Sequence, residues 1–535
     1  MIWRAALVGA FAALLVLPPI GQRLIVTGDE ARFALLAQDM LTRGTWFDAR
    51  VRDQRYQGEP LLYPWLIRTL SMPPGRVSET TAQLPIALAA VAAVFFTTLL
   101  GQQLVSTRAG VIAGLVTSTS CGFFAHSQLL LADMLIVAFG LAALAAFWAS
   151  VSDPPHPHAL LAFYVAMALG VAAGGRMGLL PLLVVAVWLL TGKGVGGLGH
   201  LVSGGGVLAF LVVSAAWLVP SHLAGSRSFA WEDWLAWHRG GPQPLTTLNV
   251  VLEGAKGLTP WTALLVLPLL AIRRQWGDAP YRFALLAWLL PLVVVLLSPN
   301  HGGWSLLPTY PAAGLLLAWW SEHRDPESSW TATIVGGLVA VGGLVALAVL
   351  ALPWLDPVER DLVEHFWWKA GLIAAGGLVL TGYACWALLT RRPRTLVVGV
   401  ALAMAVLLAG GVRVYNQWVN RSQDYSALAA LIERYAQGGA VGITGGRFFS
   451  IDFYLGRALT PVQTVAAFDA WVGRPDQPMV VIIGREWSLY RNQVRSEVEV
   501  LDTMRVRPHL MFLVRLAEPS SPPTGRVRPS PARPR

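Results

Sequence analysis

Long apolar runs, almost free of charge, alternate with short polar breaks over the first 416 residues of the chain. Crossing the ~30 Å hydrocarbon layer of a bilayer takes about 20 helical residues. The pattern predicts about thirteen such helices, near 5–20, 84–103, 108–125, 133–151, 158–174, 177–192, 201–221, 257–272, 283–298, 304–320, 330–352, 369–390 and 395–414. The first, RAALVGAFAALLVLPPI, carries Arg4 ahead of an apolar core, as a secretory leader does. No small-x-small cleavage site follows, so it reads as an uncleaved anchor. After it comes a long polar loop, 21–83. Beyond residue 415 the pattern changes. DYSALAALIERYAQ has helical spacing, while AVGITG, MVVIIG and HLMFLVRL read as short buried strands, so 421–518 is expected to form a small soluble α/β domain. The Pro-, Ser- and Arg-rich end, 519–535, cannot bury a core and is expected to be disordered. The expected fold class is an α-helical polytopic membrane protein over 1–416 with a C-terminal α/β domain.

Composition agrees with that class. The chain is 55% hydrophobic and 13% charged, whereas soluble domains carry about a quarter charged residues. A net charge of +10 raises the question of nucleic acid. The basic residues are scattered over loops and tail instead of gathered on one folded face, which excludes that partner. Lysines occur only at Lys193, Lys256 and Lys369. Arginine supplies the rest, and its planar fork suits phosphate oxygens, although compositional bias and topology signals account for most of these positions. Cys121 and Cys385 both lie inside apolar runs and offer neither a disulfide framework nor a metal cluster. With the N-terminus inside, short inner loops hold Arg108, Lys193, Arg273, Arg274, Arg324, Arg391, Arg392 and Arg394. Short outer loops hold few basic residues, the expected positive-inside bias. The first loop and the C-terminal domain then lie on the outer, extracytoplasmic face of a cell (inner) membrane.

Candidate chemistry gathers on that outer rim. The first loop supplies Asp29, Glu30, Arg55, Tyr56 and Glu59; later turns supply His126, Asp133, Arg176, His238 and His301, with Tyr310 just beyond. Carboxylates at a membrane rim cost free energy unless paired, hydrated or functional. Plainer roles stand beside the functional ones. Thr27-x-x-Glu30 fits a capping box, Asp133 fits a helix N-cap, Arg176 an interfacial snorkelling side chain, and most of the 23 tryptophans an interfacial belt.

The order of these segments resembles the GT-C membrane glycosyltransferases that use polyprenyl-phosphate sugars, in the branch of the lipid A aminoarabinose transferases and protein O-mannosyltransferases. The resemblance rests on GDEARFALLAQDMLTRGTWFDARV with RYQGEPLLYPWLI, on QLLLADMLIVAF and GGRMGLLPLLV, and on WLAWHRGG, LTPWTALLVLP, LLSPNHGGWSLLPTYPAAGLLLA and FYLGRAL. It implies that Asp29 is the catalytic carboxylate, acting as general base on, or orienting, an acceptor hydroxyl in an inverting transfer, and that Glu30, also catalytic, and Asp133 orient the acceptor or hold a metal. It implies that Arg55 and Arg176 stabilise the leaving lipid phosphate, and that Tyr56, Glu59, Asp133, His238, His301 and Tyr310 bind substrate. Glu59 stands where the family usually has lysine, and Arg176 and His301 where lysines are common. That change at Glu59 argues against a phosphate-binding role there and opens three readings: a metal ligand (a divalent metal held by Asp29, Glu59 and His238), a different donor head group, or a diverged member. The partners implied are a polyprenyl-phosphate-linked sugar donor, membrane lipids, and a lipid, protein or glycan acceptor. The C-terminal domain is expected to act as a lid or acceptor-docking module. The competing class is a transporter or flippase of lipid-linked sugars, which would place ionisable or broken-helix sites near the bilayer midplane. The expected spans are instead almost free of charge.

Overall fold

In the computed structural model the described residues are 2–51, 54–56, 58, 60–225, 244–297, 306–323, 375, 393–446, 448–476, 478–493 and 498–516. They divide into two compact units, Met1–Arg23 with Phe33–Trp418, and Leu24–Arg32 with Val419–Arg535. The sequence pattern assigned all of 21–83 to the membrane domain. Instead, Leu24–Arg32, the segment that carries Asp29 and Glu30, belongs to the unit built from the far end of the chain.

The first unit is helical. Its elements run α1 (Ile2–Val16), α2 (Gly28–Arg43, shared across the division), a two-residue hairpin of β1 (Arg50–Val51) and β2 (Gln54–Arg55), and α3 (Leu62–Ser71). Then come α4 (Glu79–Leu104), α5 (Thr107–Ser118), α6 (Cys121–His126), α7 (Asp133–Val151), α8 (Ala159–Gly174), α9 (Leu180–Lys193) and α10 (Gly204–Leu223). The series ends with α11 (Pro244–Gly257), α12 (Thr262–Leu270), α13 (Ala279–Leu297), α14 (Thr309–Glu322) and α15 (Pro393–Ser422). Every expected span has a helical counterpart except 330–352 and 369–390, which lie outside the described residues apart from residue 375. Among the described residues six helical runs are long and apolar enough to cross a bilayer, or seven if a bent pair counts as one span.

Three details depart from the simple pattern. The expected span 108–125 is broken into α5 and α6. Part of the expected outer loop 222–256 is the helix α11, which meets α12 at a bend of 105°. The turn between α8 and α9 is a 3-10 segment, Gly175–Leu179. A Cβ on Gly178 would lie 2.6 Å from the Gly170 carbonyl oxygen. Residues eight apart on a straight helix are separated by about 12 Å (~1.5 Å rise each), so the chain reverses here, as the sequence expected around Arg176.

In lipid, helices associate through close backbone packing and satisfied polar groups. A Cβ on Gly101 of α4 would come 2.9 Å from the Gly110 Cα of α5. The buried hydroxyls of Thr97, Thr98, Thr117 and Ser120 each donate to the carbonyl four residues earlier, at 2.7–2.8 Å.

The second unit is the expected α/β domain. Its elements are α16 (Tyr425–Ala436), β3 (Val441–Ile443), α17 (Phe449–Leu455), β4 (Thr460–Pro461), α18 (Val465–Val472), β5 (Met479–Ile483), α19 (Gly484–Gln493), β6 (Val498–Val506) and β7 (His509–Leu516). The sheet order is β4-β3-β5-β7-β6, parallel from β4 to β5 and antiparallel through β7 and β6. MVVII reads as an unbroken apolar run because both faces of β5 are covered. Met479, Val481 and Ile483 pack with Leu428 and Ile432 of α16, while Val480 and Ile482 pack with Phe468 and Val472 of α18.

Candidate active site

In the second unit the acidic pair opens α2, and its two carboxylates have different surroundings. Thr27 and Glu30 form the reciprocal cap that the sequence suggested. Thr27 Oγ1 accepts from the Glu30 amide at 3.3 Å, and Glu30 Oε2 accepts from the Thr27 hydroxyl at 3.0 Å and the Thr27 amide at 3.4 Å. Glu30 is 1% exposed. Asp29, one residue away, has a side chain 61% exposed, with Arg32 Nη2 3.6 Å from its Oδ1. It sits in the first turn of α2, beside the helix-start amides. The exposed carboxylate is chemically accessible; the buried one is engaged in holding the helix start.

In the first unit the other end of α2 carries a second cluster. Arg43 binds Asp39, donates to Asp48 Oδ2 at 3.1 Å and to the Asp48 carbonyl at 2.9 Å, and Arg50 also donates to Asp48 at 3.1 Å. The Arg50 and Arg43 guanidiniums hold the Asp48 carboxyl below its ordinary value against the opposing effect of burial. The GTW step closes the same turn. Trp65 of α3 donates its indole N–H to the Trp46 carbonyl at 2.5 Å, and the buried Arg68 guanidinium stacks 3.6 Å from the Trp46 ring centroid. The sequence reading missed this clasp. Its signal was a lone arginine on the apolar side of LYPWLIRTL.

The loop then runs back to the rim. The Tyr56 amide donates to the Ala49 carbonyl at 2.9 Å and the Tyr56 ring is buried. Arg55 is exposed, its guanidinium lying against the Gly225 backbone at the end of α10, where the chain adopts φ +80°. Pro60 Cγ lies 4.0 Å from the place a Cβ on Gly175 would occupy, so the first loop reaches the turn carrying the exposed Arg176. Asp133 is the first residue of α7; Ala132 takes the cap position and makes no side-chain cap bond, so Asp133 is not the N-cap.

Tyr310, at the start of α14, is buried against α6 and the end of α11. A Cβ on Gly122 would come 2.7 Å from its hydroxyl, and one on Gly257 would overlap it. The Gly122 carbonyl accepts from His126 Nδ1 at 2.6 Å. Glu59, His238 and His301 lie outside the described residues. Among the described residues no three His, Cys, Asp or Glu side chains are grouped as a metal site would need. Beside Met177, the residue after Arg176, runs a narrow apolar groove lined by Met177, Pro181, Ile136, Gly140, Pro291 and Leu315 among others.

No family model matches the chain. The undecaprenyl phosphate-alpha-4-amino-4-deoxy-L-arabinose arabinosyl transferase of Pectobacterium atrosepticum is 24% identical over 435 residues, 75% of this chain and 74% of that protein. An arabinosyl transferase of the same description, numbered 2, from Sodalis glossinidius is 26% identical over 474 residues, 81% of each chain. The crystal structure of ArnT from Cupriavidus metallidurans bound to undecaprenyl phosphate matches with a TM-score of 0.77 at 19% identity, covering 95% of this chain and 97% of that one. The resemblance drawn from the motifs is borne out, and the chain is a membrane-embedded, multi-pass protein with the GT-C glycosyltransferase fold.

Proposed function

We propose that this glycosyltransferase moves a sugar from an undecaprenyl-phosphate-type donor to an envelope acceptor, lipid A by analogy with its relatives, on the periplasmic face. Asp29 accepts the proton of the acceptor O–H as that oxygen bonds to the anomeric carbon. The carbon–oxygen bond to the lipid phosphate breaks, and its electron pair leaves with the phosphate. A single displacement of this kind inverts the anomeric centre. Arg55 and Arg176 neutralise the departing phosphate, and the apolar groove beside Met177 receives part of the prenyl chain. A divalent metal held by Asp29, Glu59 and His238 would be a further aid to the phosphate; of these three only Asp29 is among the described residues.

The observation that carries this reading is the contrast within the acidic pair, with Asp29 facing solvent beside a sequestered Glu30. The test is transfer from undecaprenyl-phosphate aminoarabinose to lipid A by purified protein. Asp29→Asn is expected to slow it by about 10²–10⁴-fold, the usual contribution of a general base; wild-type turnover in that variant sinks the assignment. Impermeant labelling of a cysteine placed at Asp29 reports which side of the membrane it faces.

A further inference from the structure

Four residues before the helix, the chain is already held. Leu24 N–H donates to Asn420 Oδ1 at 2.9 Å, Ile25 N–H donates to the Tyr454 hydroxyl at 2.8 Å, and Ser450 Oγ donates to the Thr27 carbonyl at 3.3 Å. Ile25 is fully buried, and Val26 packs on the core formed by α16, α17 and the sheet. The Phe449 ring lies 3.9 Å from where a Cβ on Gly28 would be. Ser450, Phe449 and Tyr454 all belong to α17, the helix between β3 and β4. A short peptide is thus fastened by its backbone to the α/β domain, and Asp29 is the second residue of the helix it leads into.

We propose that the α/β domain is the holder of the catalytic carboxylate, with Tyr454, Ser450 and Asn420 as positioning residues that act through Asp29. This rests on the reading of Asp29 as the base. A lid or acceptor-docking module could lose one hydrogen bond to the 24–28 peptide without consequence for the chemical step. A holder cannot, because small misplacements of a reacting group cost rate steeply, as much as about 10²-fold for 1 Å. Position here is set by main-chain hydrogen bonds, so removal of a single side-chain oxygen tests the arrangement with little disturbance to packing.

Tyr454→Phe in the full-length protein removes the acceptor for Ile25 and keeps the ring; Ser450→Ala is the second, smaller lesion. Amide hydrogen exchange followed by mass spectrometry is expected to accelerate in the peptide covering 24–28 in Tyr454→Phe, with the sheet peptides unchanged. In the transfer assay kcat is expected to fall about fivefold, the usual worth of one neutral hydrogen bond, with KM for undecaprenyl-phosphate aminoarabinose within about twofold. In an Asp29→Asn background the same substitution is expected to cost nothing further, because the group it positions is gone. Unchanged exchange and unchanged kcat in Tyr454→Phe would overturn the proposal. So would a fivefold loss that persists in Asp29→Asn, which marks a structural role independent of the base. Full activity in Asp29→Asn alone refutes the assignment of the base, whereas the exchange experiment reads the tether whatever that result.

Discussion

The two ends of α2 make an instructive pair. Each carries two acidic residues, Asp29 and Glu30 at the start, Asp39 and nearby Asp48 at the finish. At the finish both carboxylates are bound by arginine, and side chains of all four partners stay between 22% and 32% exposed. At the start the cap consumes Glu30 and leaves Asp29 facing water. Charge alone therefore does not mark the chemistry. What separates the proposed base from the structural carboxylates here is that its oxygens are not taken up by a cap or by two arginines.

That contrast can be broken in order of expected effect. The largest loss belongs to Asp29→Asn, as stated above, with thermal stability unchanged. Next is Gly257→Ala, whose added methyl overlaps the Tyr310 hydroxyl; overpacking of this kind costs about 1–3 kcal/mol, read as a lowered midpoint in thermal unfolding of the detergent-solubilised protein. Glu30→Gln preserves the capping pattern and should keep transfer within a few fold of wild type, whereas Glu30→Ala should lose about 1 kcal/mol of stability. If Glu30→Gln proves as inactive as Asp29→Asn, the division within the pair is wrong. The smallest effect is at the far end. Asp48 is held below its ordinary value in the folded state, so its contribution is present above the unfolded carboxylate range and fades as pH falls below about 4. Asp48→Asn should remove that acid sensitivity, cost about 1 kcal/mol or less, and leave transfer rates intact at neutral pH.

The spans and the α/β strands were legible because burial on all sides writes itself into composition. MVVIIG is apolar throughout since β5 has a covered face on either side. The cap at Thr27 and the turn at Arg176 were legible from local spacing. Other features were not. Gly122 and Gly257 are 135 residues apart and look like ordinary helix glycines until Tyr310 is seen against both. The lone Arg68 on the apolar side of LYPWLIRTL was a signal, but the spacing does not name Trp46, 22 residues earlier, as its partner. Most of all, the pattern put Leu24–Arg32 with its neighbours in the chain, because hydropathy carries no record of hydrogen bonds to residues some 400 positions later.

The Ile25–Tyr454 bond closes over 429 residues. A ribosome adding about 5–20 residues per second needs roughly 20 to 90 seconds to span that interval. During that time the leading peptide has been made and its mooring has not. A chain that stops early, however well its helices insert, therefore carries an acidic pair with nothing to fasten it. Under the proposed role of the α/β domain, a chain that stops before α17 is expected to insert its helices without positioning Asp29, so transfer would wait for completion of that domain.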